Sequence, residues 1–188
     1  MSMRLALLLL LGLLAGCTPQ PAPELFTLAA VPGATHAAPA GGLQVRRIGL
    51  AGYLDRDDIV RSAAGYRLTV TTGQRWAEPL GRMLDRVLTE DLAQRLPAMA
   101  VVAESGAIGG LPGLVLEVNV QRLDADANGE VVLLAQVALR RDGGRAPPAT
   151  RTLRLTARPA AAGTADLVAA MSALLGQLAD AVAGMAAS

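Results

Sequence analysis

The residues that could carry out chemistry are few in this sequence, and they do not form a catalytic set. His36 is the only histidine, and it lies among small residues, whereas a catalytic triad or a histidine metal site needs organised partners. No serine lies in a Gly-x-Ser-x-Gly elbow, and no Walker A motif is present. We therefore interpret His36 as a solvated loop residue and predict that the protein is not an enzyme and carries no metal or other cofactor.

Two clusters of acidic residues are the remaining candidates for ion binding. Residues 55–58 lack the ligand spacing and terminal glutamate of a calcium loop, and an arginine interrupts them. We interpret them as the start of a short helical turn. Asp124, Asp126 and Asn128 resemble the first ligands of such a loop, but the alternating apolar residues on both sides and the pair Asn128-Gly129 predict a β-hairpin turn.

Composition and charge exclude one class of partner. The sequence has no lysine, so its 17 basic residues are all arginine, and they face 16 acidic residues. No stripe of arginines of the kind that binds a phosphate backbone is visible. We therefore predict that the protein does not bind nucleic acid.

The N-terminal residues have the pattern of a bacterial lipoprotein signal. Arg4 precedes the apolar run Leu5–Ala15, which is too short to cross a bilayer because a spanning helix needs about 20 residues. The run ends at Leu14-Ala-Gly-Cys17, and small residues before a cysteine form the lipobox at which the thiol is acylated. The alternative is a plain signal peptide that happens to contain a cysteine.

The lipobox predicts how the protein is anchored. Cys17 is the only cysteine, so an intramolecular disulfide and a zinc site of several thiolates are excluded. We predict a signal peptide at residues 1–16, diacylglycerol and palmitate on Cys17, and an acylated tether at residues 17–23. Thr18 replaces the aspartate that tends to retain lipoproteins on the inner membrane, which favours the periplasmic face of the outer membrane.

Hydrophobic periodicity predicts two helices and several strands in the rest of the chain. Apolar residues at spacings of three and four mark one helix from Pro79 to Leu96 and another at about residues 166–185. We interpret their apolar stripes as core, with a lipid groove or a partner surface as the alternative. Alternating or short apolar runs predict strands at residues 25–28, 43–50, 66–70, 99–103, 114–121, 130–141 and 152–158.

The order of these elements predicts the fold class. Strands, a helix, further strands and a final helix are typical of an α+β two-layer sandwich, in which two main helices pack on one face of a mostly antiparallel sheet. Domains cluster at roughly 100–150 residues. Residues 24–188 are therefore predicted to form a single domain.

The segment Trp76-Ala-Glu-Pro-Leu80 and the helix after it resemble the ABC-type transport auxiliary lipoproteins, the family of paraquat-inducible protein C. Other segments match that family in the same order, namely the lipobox, residues 25–28, residues 48–60, the paired strands of the hairpin and the final helix. The first strand of the family is rich in tyrosine, whereas this chain has Phe26 there. The resemblance covers nearly all of the chain after Cys17.

The resemblance implies a non-enzymatic auxiliary component of a lipid-transport system. In such systems an inner-membrane permease and ATPase, or a related membrane protein, work with an MCE-domain protein that crosses the periplasm. The lipoprotein docks its outer-membrane end and so supports membrane integrity, and a homo-oligomeric ring would suit a tubular partner. We expect Tyr53, Leu54 and Trp76 to bind the partner, with a packing role as the alternative for Trp76.

Two other classes of function stay open at this point. An envelope-assembly or structural lipoprotein would have the same anchor, and a neighbouring gene for an MCE protein or an ABC permease would distinguish the two. A lipid-modifying hydrolase would need an organised Ser/His/Asp set, and the lack of such a set in the sequence weighs against that class.

Overall fold

The computed structural model describes residues 22–104, 106–107 and 113–188. The predicted signal peptide at residues 1–16, Cys17 and most of the tether lie outside the described residues. The elements of the described chain are β1 (Glu24–Phe26), β2 (Gly41–Val45), β3 (Gly49–Leu50), β4 (Asp58–Ala63), β5 (Arg67–Trp76), α1 (Leu80–Arg95), β6 (Met99–Ala103), β7 (Leu114–Ala125), β8 (Val131–Arg141), β9 (Ala149–Ala157) and α2 (Thr164–Ala186).

Strand β7 is the centre of the sheet, which contains nine strands in the described residues. One of its edges pairs with β8, which pairs in turn with β9, and both pairings are antiparallel. Its other edge pairs with β2, β3 and β4 in succession, all parallel. Strands β5 and β1 extend the sheet beyond β4, and β6 extends it beyond β2. The sheet is therefore mixed, with its longest pairings antiparallel, and the prediction of an α+β fold with two main helices is confirmed.

The segment at residues 43–50 forms two short strands rather than the single predicted one. β2 ends at Val45 and β3 begins at Gly49. Between them, the backbone N–H of Ile48 donates to Oδ1 of Asp85 on α1, at 2.8 Å. The side chain of Asp85 thus accepts the hydrogen bond that a carbonyl of a neighbouring strand would otherwise accept.

The helical turn predicted at residues 55–60 is wrong. Residues 52–57 form turns and bends, and β4 begins at Asp58. Ile59 and Val60 are both buried, and β4 pairs with β5 through Val60 and Val70. Pairing and burial of β-branched residues therefore outweigh the local preference of the acidic residues for a helix start.

A β-bulge in β7 switches which of its residues face the helices. Even-numbered residues of 116–120 lie in the hydrophobic core, whereas after the bulge the core residues are Leu123 and Ala125. Gln121 has no partner in β8, and the register shifts there. An extra residue in one strand moves the following side chains to the opposite face. Asp124 consequently lies on the face of the sheet away from the helices.

Both helices contribute their apolar stripes to the core. α1 and α2 contact each other, and α2 also contacts β7, β8 and β9. Fully buried leucines on the two helices include Leu84, Leu88 and Leu174. By length and composition α2 could also cross a membrane, but 67% of its most apolar window is buried inside the protein. These stripes therefore pack as core, as the periodicity predicts.

An extended segment at residues 27–39, which we call the strap, crosses the helices between β1 and β2. Its backbone N–H groups donate to side chains of both helices, at Leu28 to Sδ of Met83 and at Ala29 to Oγ of Ser172 (3.2 Å). Further along, the N–H of His36 donates to the last turn of α1 (2.7 Å). The strap thereby satisfies its own backbone groups in place of a sheet ladder.

Candidate functional site

The three residues expected to bind a partner lie together around the loop at residues 51–57. The side chains of Leu54 and Trp76 are only 3% and 6% exposed and pack into the core. The backbone N–H of Trp76 donates to the carbonyl oxygen of Asp57 at 2.8 Å. Tyr53 is partly buried beside the same core. Leu54 and Trp76 thus hold the loop in place from beneath.

Tyr53 is fixed by a buried carboxylate that the sequence analysis assigned to a turn. Its hydroxyl donates to Oδ2 of Asp124 at 2.6 Å, while Nε and Nη2 of Arg122 donate to Oδ1 at 3.1 and 2.9 Å. Burial, and secondarily the Asp124 carboxylate, raise the pKa of Tyr53 far above its usual range. The phenol therefore stays protonated and acts as a hydrogen-bond donor. In the sequence, the signal for this position of Asp124 is that the alternation of apolar and polar residues breaks after Val120.

A second polar cluster joins α1, α2 and the strap around Arg95, which is 1% exposed. Its Nη1 donates to the carbonyl oxygen of Val31 at 3.0 Å and lies 3.4 Å from Oδ1 of Asp91. Its Nε donates to Oδ1 of Asp180 on α2. Oδ1 of Asp91 also accepts the N–H of Val31 at 2.8 Å. One arginine therefore binds both helices and the strap.

Two glycines make room for this arginine. A Cβ at Gly33 would overlap the guanidinium of Arg95, and a Cβ at Gly176 would lie 3.3 Å from it. The sequence analysis did not identify this cluster, because charged residues on a helix usually face solvent. The available signal is spacing, since Leu84, Leu88, Asp91 and Arg95 share one helical stripe.

A third buried carboxylate gives a prediction for pH dependence. Asp85 is 5% exposed, and burial raises its pKa above the ordinary 3.8. The folded protein then binds this proton more tightly than the unfolded chain, so the free energy of unfolding falls as pH rises from 3.8 through the raised pKa. Asp85→Asn keeps an acceptor for the N–H of Ile48 but has no carboxyl group to titrate. We expect this variant to lose the part of the decrease in the free energy of unfolding that comes from Asp85. Urea unfolding at a series of pH values measures the change.

The control for that measurement is Asp142→Asn, at an exposed position in the loop after β8. This variant is expected to retain the pH dependence of the unsubstituted protein. If Asp85→Asn also retained all of it, the carboxyl of Asp85 would not be the group responsible.

The acidic clusters considered for ion binding make other contacts. Oδ1 of Asp126 accepts the N–H groups of Asn128 and Glu130 at 2.8 and 3.0 Å, and Gly129 has a φ of 80°. The hairpin turn predicted there is confirmed. In the other cluster, at residues 55–58, Oδ1 of Asp58 lies 3.7 Å from Nε of Arg75. Within the described ranges, no three His, Cys, Asp or Glu side chains come close enough to hold a metal ion.

The face of the sheet away from the helices carries a shallow depression with a mixed polar and apolar lining. It has a volume of about 500 Å³ and lies across β7, β8 and β9. Its lining includes Glu117, Asn119, Gln136, Thr150 and Thr152. These side chains offer hydrogen bonds, and none of them is a strong nucleophile at neutral pH.

The fold defines a class of α+β domain that solved structures share. The crystal structure of an uncharacterized protein is similar with a TM-score of 0.73 and 19% identity, over 88% of this chain and 99% of that one. Protein XCC0632 from Xanthomonas campestris is similar with a TM-score of 0.69 and 20% identity, over 86% and 93% of the two chains. At these identities the likeness concerns the fold alone. No curated protein matches the chain.

The family is established by a match over most of the sequence. The model of the ABC-type transport auxiliary lipoprotein component matches residues 26–183. The chain therefore belongs to this family, as its resemblance to the lipoproteins of that name indicates. Its role is that of an accessory, membrane-associated envelope protein of an ABC transport system.

Proposed function

We propose that the protein is an outer-membrane lipoprotein, anchored at the periplasmic face by acyl chains on Cys17, and that it docks an MCE-type lipid-transport system. The observation that carries this proposal is the family match over residues 26–183, together with the lipobox at residues 14–17. In this role it receives the end of a periplasm-spanning MCE protein, which works with an inner-membrane permease and ATPase. Its part is non-catalytic, and the covalent lipid is its only non-protein group.

The docking surface in this proposal is the loop at residues 51–57. The loop is anchored from beneath, because Leu54 and Trp76 are buried and the N–H of Trp76 donates to the carbonyl of Asp57. Arg56 and its acidic neighbours at the top of the loop are exposed. A charged segment on a fixed support suits the polar rim of a protein interface, where charges guide association and set specificity. Tyr53, Leu54 and Trp76 then act in docking through the position of this loop.

We expect the double change Asp55→Asn and Asp57→Asn to lower the recovery of an MCE-domain protein with the acylated protein from crosslinked envelopes. Both carboxylates are exposed, so their removal should weaken association without changing stability. The measurement is quantitative mass spectrometry of the crosslinked partners. The control is Asp142→Asn in the exposed loop after β8, which is expected to leave recovery unchanged.

The outcomes of this experiment separate the two levels of the proposal. Equal recovery with the loop variant and the control would contradict docking through residues 51–57 while leaving the transport role in place. Recovery of only outer-membrane or cell-wall assembly proteins, even with the unsubstituted protein, would contradict the transport role and favour an envelope-assembly lipoprotein.

A further inference from the structure

The hairpin of β4 and β5 carries three of the four large apolar side chains that are exposed in the described part of the domain, and the fourth is Leu25 on β1. Tyr66 at its turn is fully exposed, and Leu68 and Val70 on β5 are 47% and 44% exposed. Leu68 and Val70 share one face of the strand, since side chains two residues apart point to the same side. Across the hairpin they face Ser62 and Val60 of β4. The hairpin thus ends in a small apolar surface, which we call the tip.

The backbone at the tip is shaped for exposure. Gly65 and Tyr66 both have positive φ, of 70° and 62°, which is the geometry of a tight hairpin turn. Asparagine or glycine usually occupies such positions, and a large aromatic residue there is uncommon. Arg67 follows directly and is exposed as well. Tyrosine beside arginine is typical of surfaces that meet the interface between lipid and water.

The tether leaves the domain toward the same end of the molecule. β1 pairs with the last residues of β5 in parallel, with Glu24 opposite Gln74. Because the strands are parallel, the chain before Glu24 departs in the direction of the turn at Tyr66. Beyond this pairing, the edge of β5 at residues 67–73 is not covered by the described part of β1. The described chain therefore enters the domain from the end that carries the tip.

The fully extended tether is at least as long as the hairpin that carries the tip. The tether at residues 17–23 spans at most about 25 Å when fully extended. In the hairpin, residues 67–75 of β5 face only residues 58–63 of β4, so this stretch spans about 17 Å at the usual rise of a strand. The extra residues of β5 bulge around Gly73, which has a φ of 76°. An anchor at Cys17 therefore leaves the tip within reach of the lipid surface.

We propose that the tip is a membrane-contact element, which inserts Tyr66, Leu68 and Val70 into the headgroup region of the phospholipid leaflet that holds Cys17. The proposal rests on the lipid anchor of the proposed function, and it does not depend on the transport partner. A contact that is weak alone becomes effective here because the anchor keeps the local concentration of lipid high. The contact would fix the orientation of the domain and direct the opposite end of the sheet into the periplasm.

The test uses a fluorescent probe on the full acylated protein in vesicles of phosphatidylethanolamine and phosphatidylglycerol. Cys17 is the only cysteine and is blocked by acylation, so Leu68→Cys provides a unique site for the probe. We expect lipid-borne nitroxides to quench this probe at least about twice as strongly as one at Arg145→Cys, because an interfacial segment lies about 5–10 Å inside the headgroup boundary. Position 145 is exposed in the loop between β8 and β9.

A second variant and a second quencher make the outcome decisive. Adding Val70→Glu to the labelled protein is expected to abolish the extra quenching, while flotation with the vesicles persists because the acyl chains are intact. Quenching of position 68 by aqueous iodide would overturn the proposal in favour of a free tip. Protection from both quenchers would overturn it in favour of a second copy or another protein at this surface. Failure to float would concern the anchor itself and so the proposed function.

Discussion

Replacing Arg95 by alanine is expected to lower the free energy of unfolding by about 3–5 kcal/mol, because it leaves a buried carboxylate without its cation. Asp91 is fully buried, and its Oδ2 already lacks a hydrogen-bond partner. The carbonyl of Val31 would lose its donor at the same time. Urea unfolding of the purified protein at neutral pH measures the change.

The control for this prediction is another arginine on the same helix. Arg86 pairs with Glu78 at 2.8 Å, but its side chain is 50% exposed, and exposed ion pairs contribute only about 0–1 kcal/mol. Arg86→Ala is therefore expected to have little effect. Similar losses from the two variants would show that the cluster around Arg95 is not a special source of stability.

The pKa of Asp91 adds a second signature to the Arg95 variant. Burial raises this pKa above its ordinary value, opposed by the hydrogen bond from Val31 and by the charge of Arg95. Without the arginine, the carboxyl group is expected to take up a proton more readily. The destabilisation caused by Arg95→Ala should then be smaller at acidic pH than at neutral pH.

Trp76→Ala is expected to lower the free energy of unfolding by about 3–5 kcal/mol, the range for removing a buried aromatic side chain. Trp76 is 6% exposed and is the last residue of β5, directly before the segment that leads to α1. Loss of the indole leaves a cavity under the loop at residues 51–57. Thermal or urea unfolding gives the loss of stability.

The comparison for Trp76 is the exposed aromatic residue of the same strand pair. Tyr66→Asn is expected to change stability by no more than about 0.5 kcal/mol, since the side chain makes few contacts and asparagine tolerates positive φ. Trp76→Phe should lose less than Trp76→Ala because it fills more of the site. If Trp76→Ala bound a partner poorly while keeping full stability, the tryptophan would be a direct contact rather than a support.

The parts of the fold that the sequence predicted are those governed by local pattern. The helix up to Arg95 and the hairpin around Asn128-Gly129 follow from periodicity and turn chemistry, which depend on neighbouring residues alone. The mixed character of the sheet does not, because the parallel pairings of β7 join segments far apart in the chain. Strand direction in such pairings is set by chain connections that no local pattern records.

The candidate site was predicted in part for a similar reason. Tyr53, Leu54 and Trp76 stand out by residue type, and they do lie around one loop. Whether a side chain faces solvent depends on what packs over it, and Leu54 and Trp76 are covered by the core. Asp124 was not identified because a single bulge decides its face, and one unpaired residue leaves only a slip in the alternation.

The strap has a consequence for the order in which the protein folds. It lies near the start of the chain, yet one of its hydrogen bonds joins residues 143 positions apart, Ala29 and Ser172 on the last helix. Contacts between such distant positions slow folding, because a large loop must close before they form. The strap can bind α1 earlier, through Met83 and Asp91, but its contact with α2 forms only after nearly the whole chain is available. In the proposed function, the N-terminal cysteine can therefore be acylated before this last contact forms.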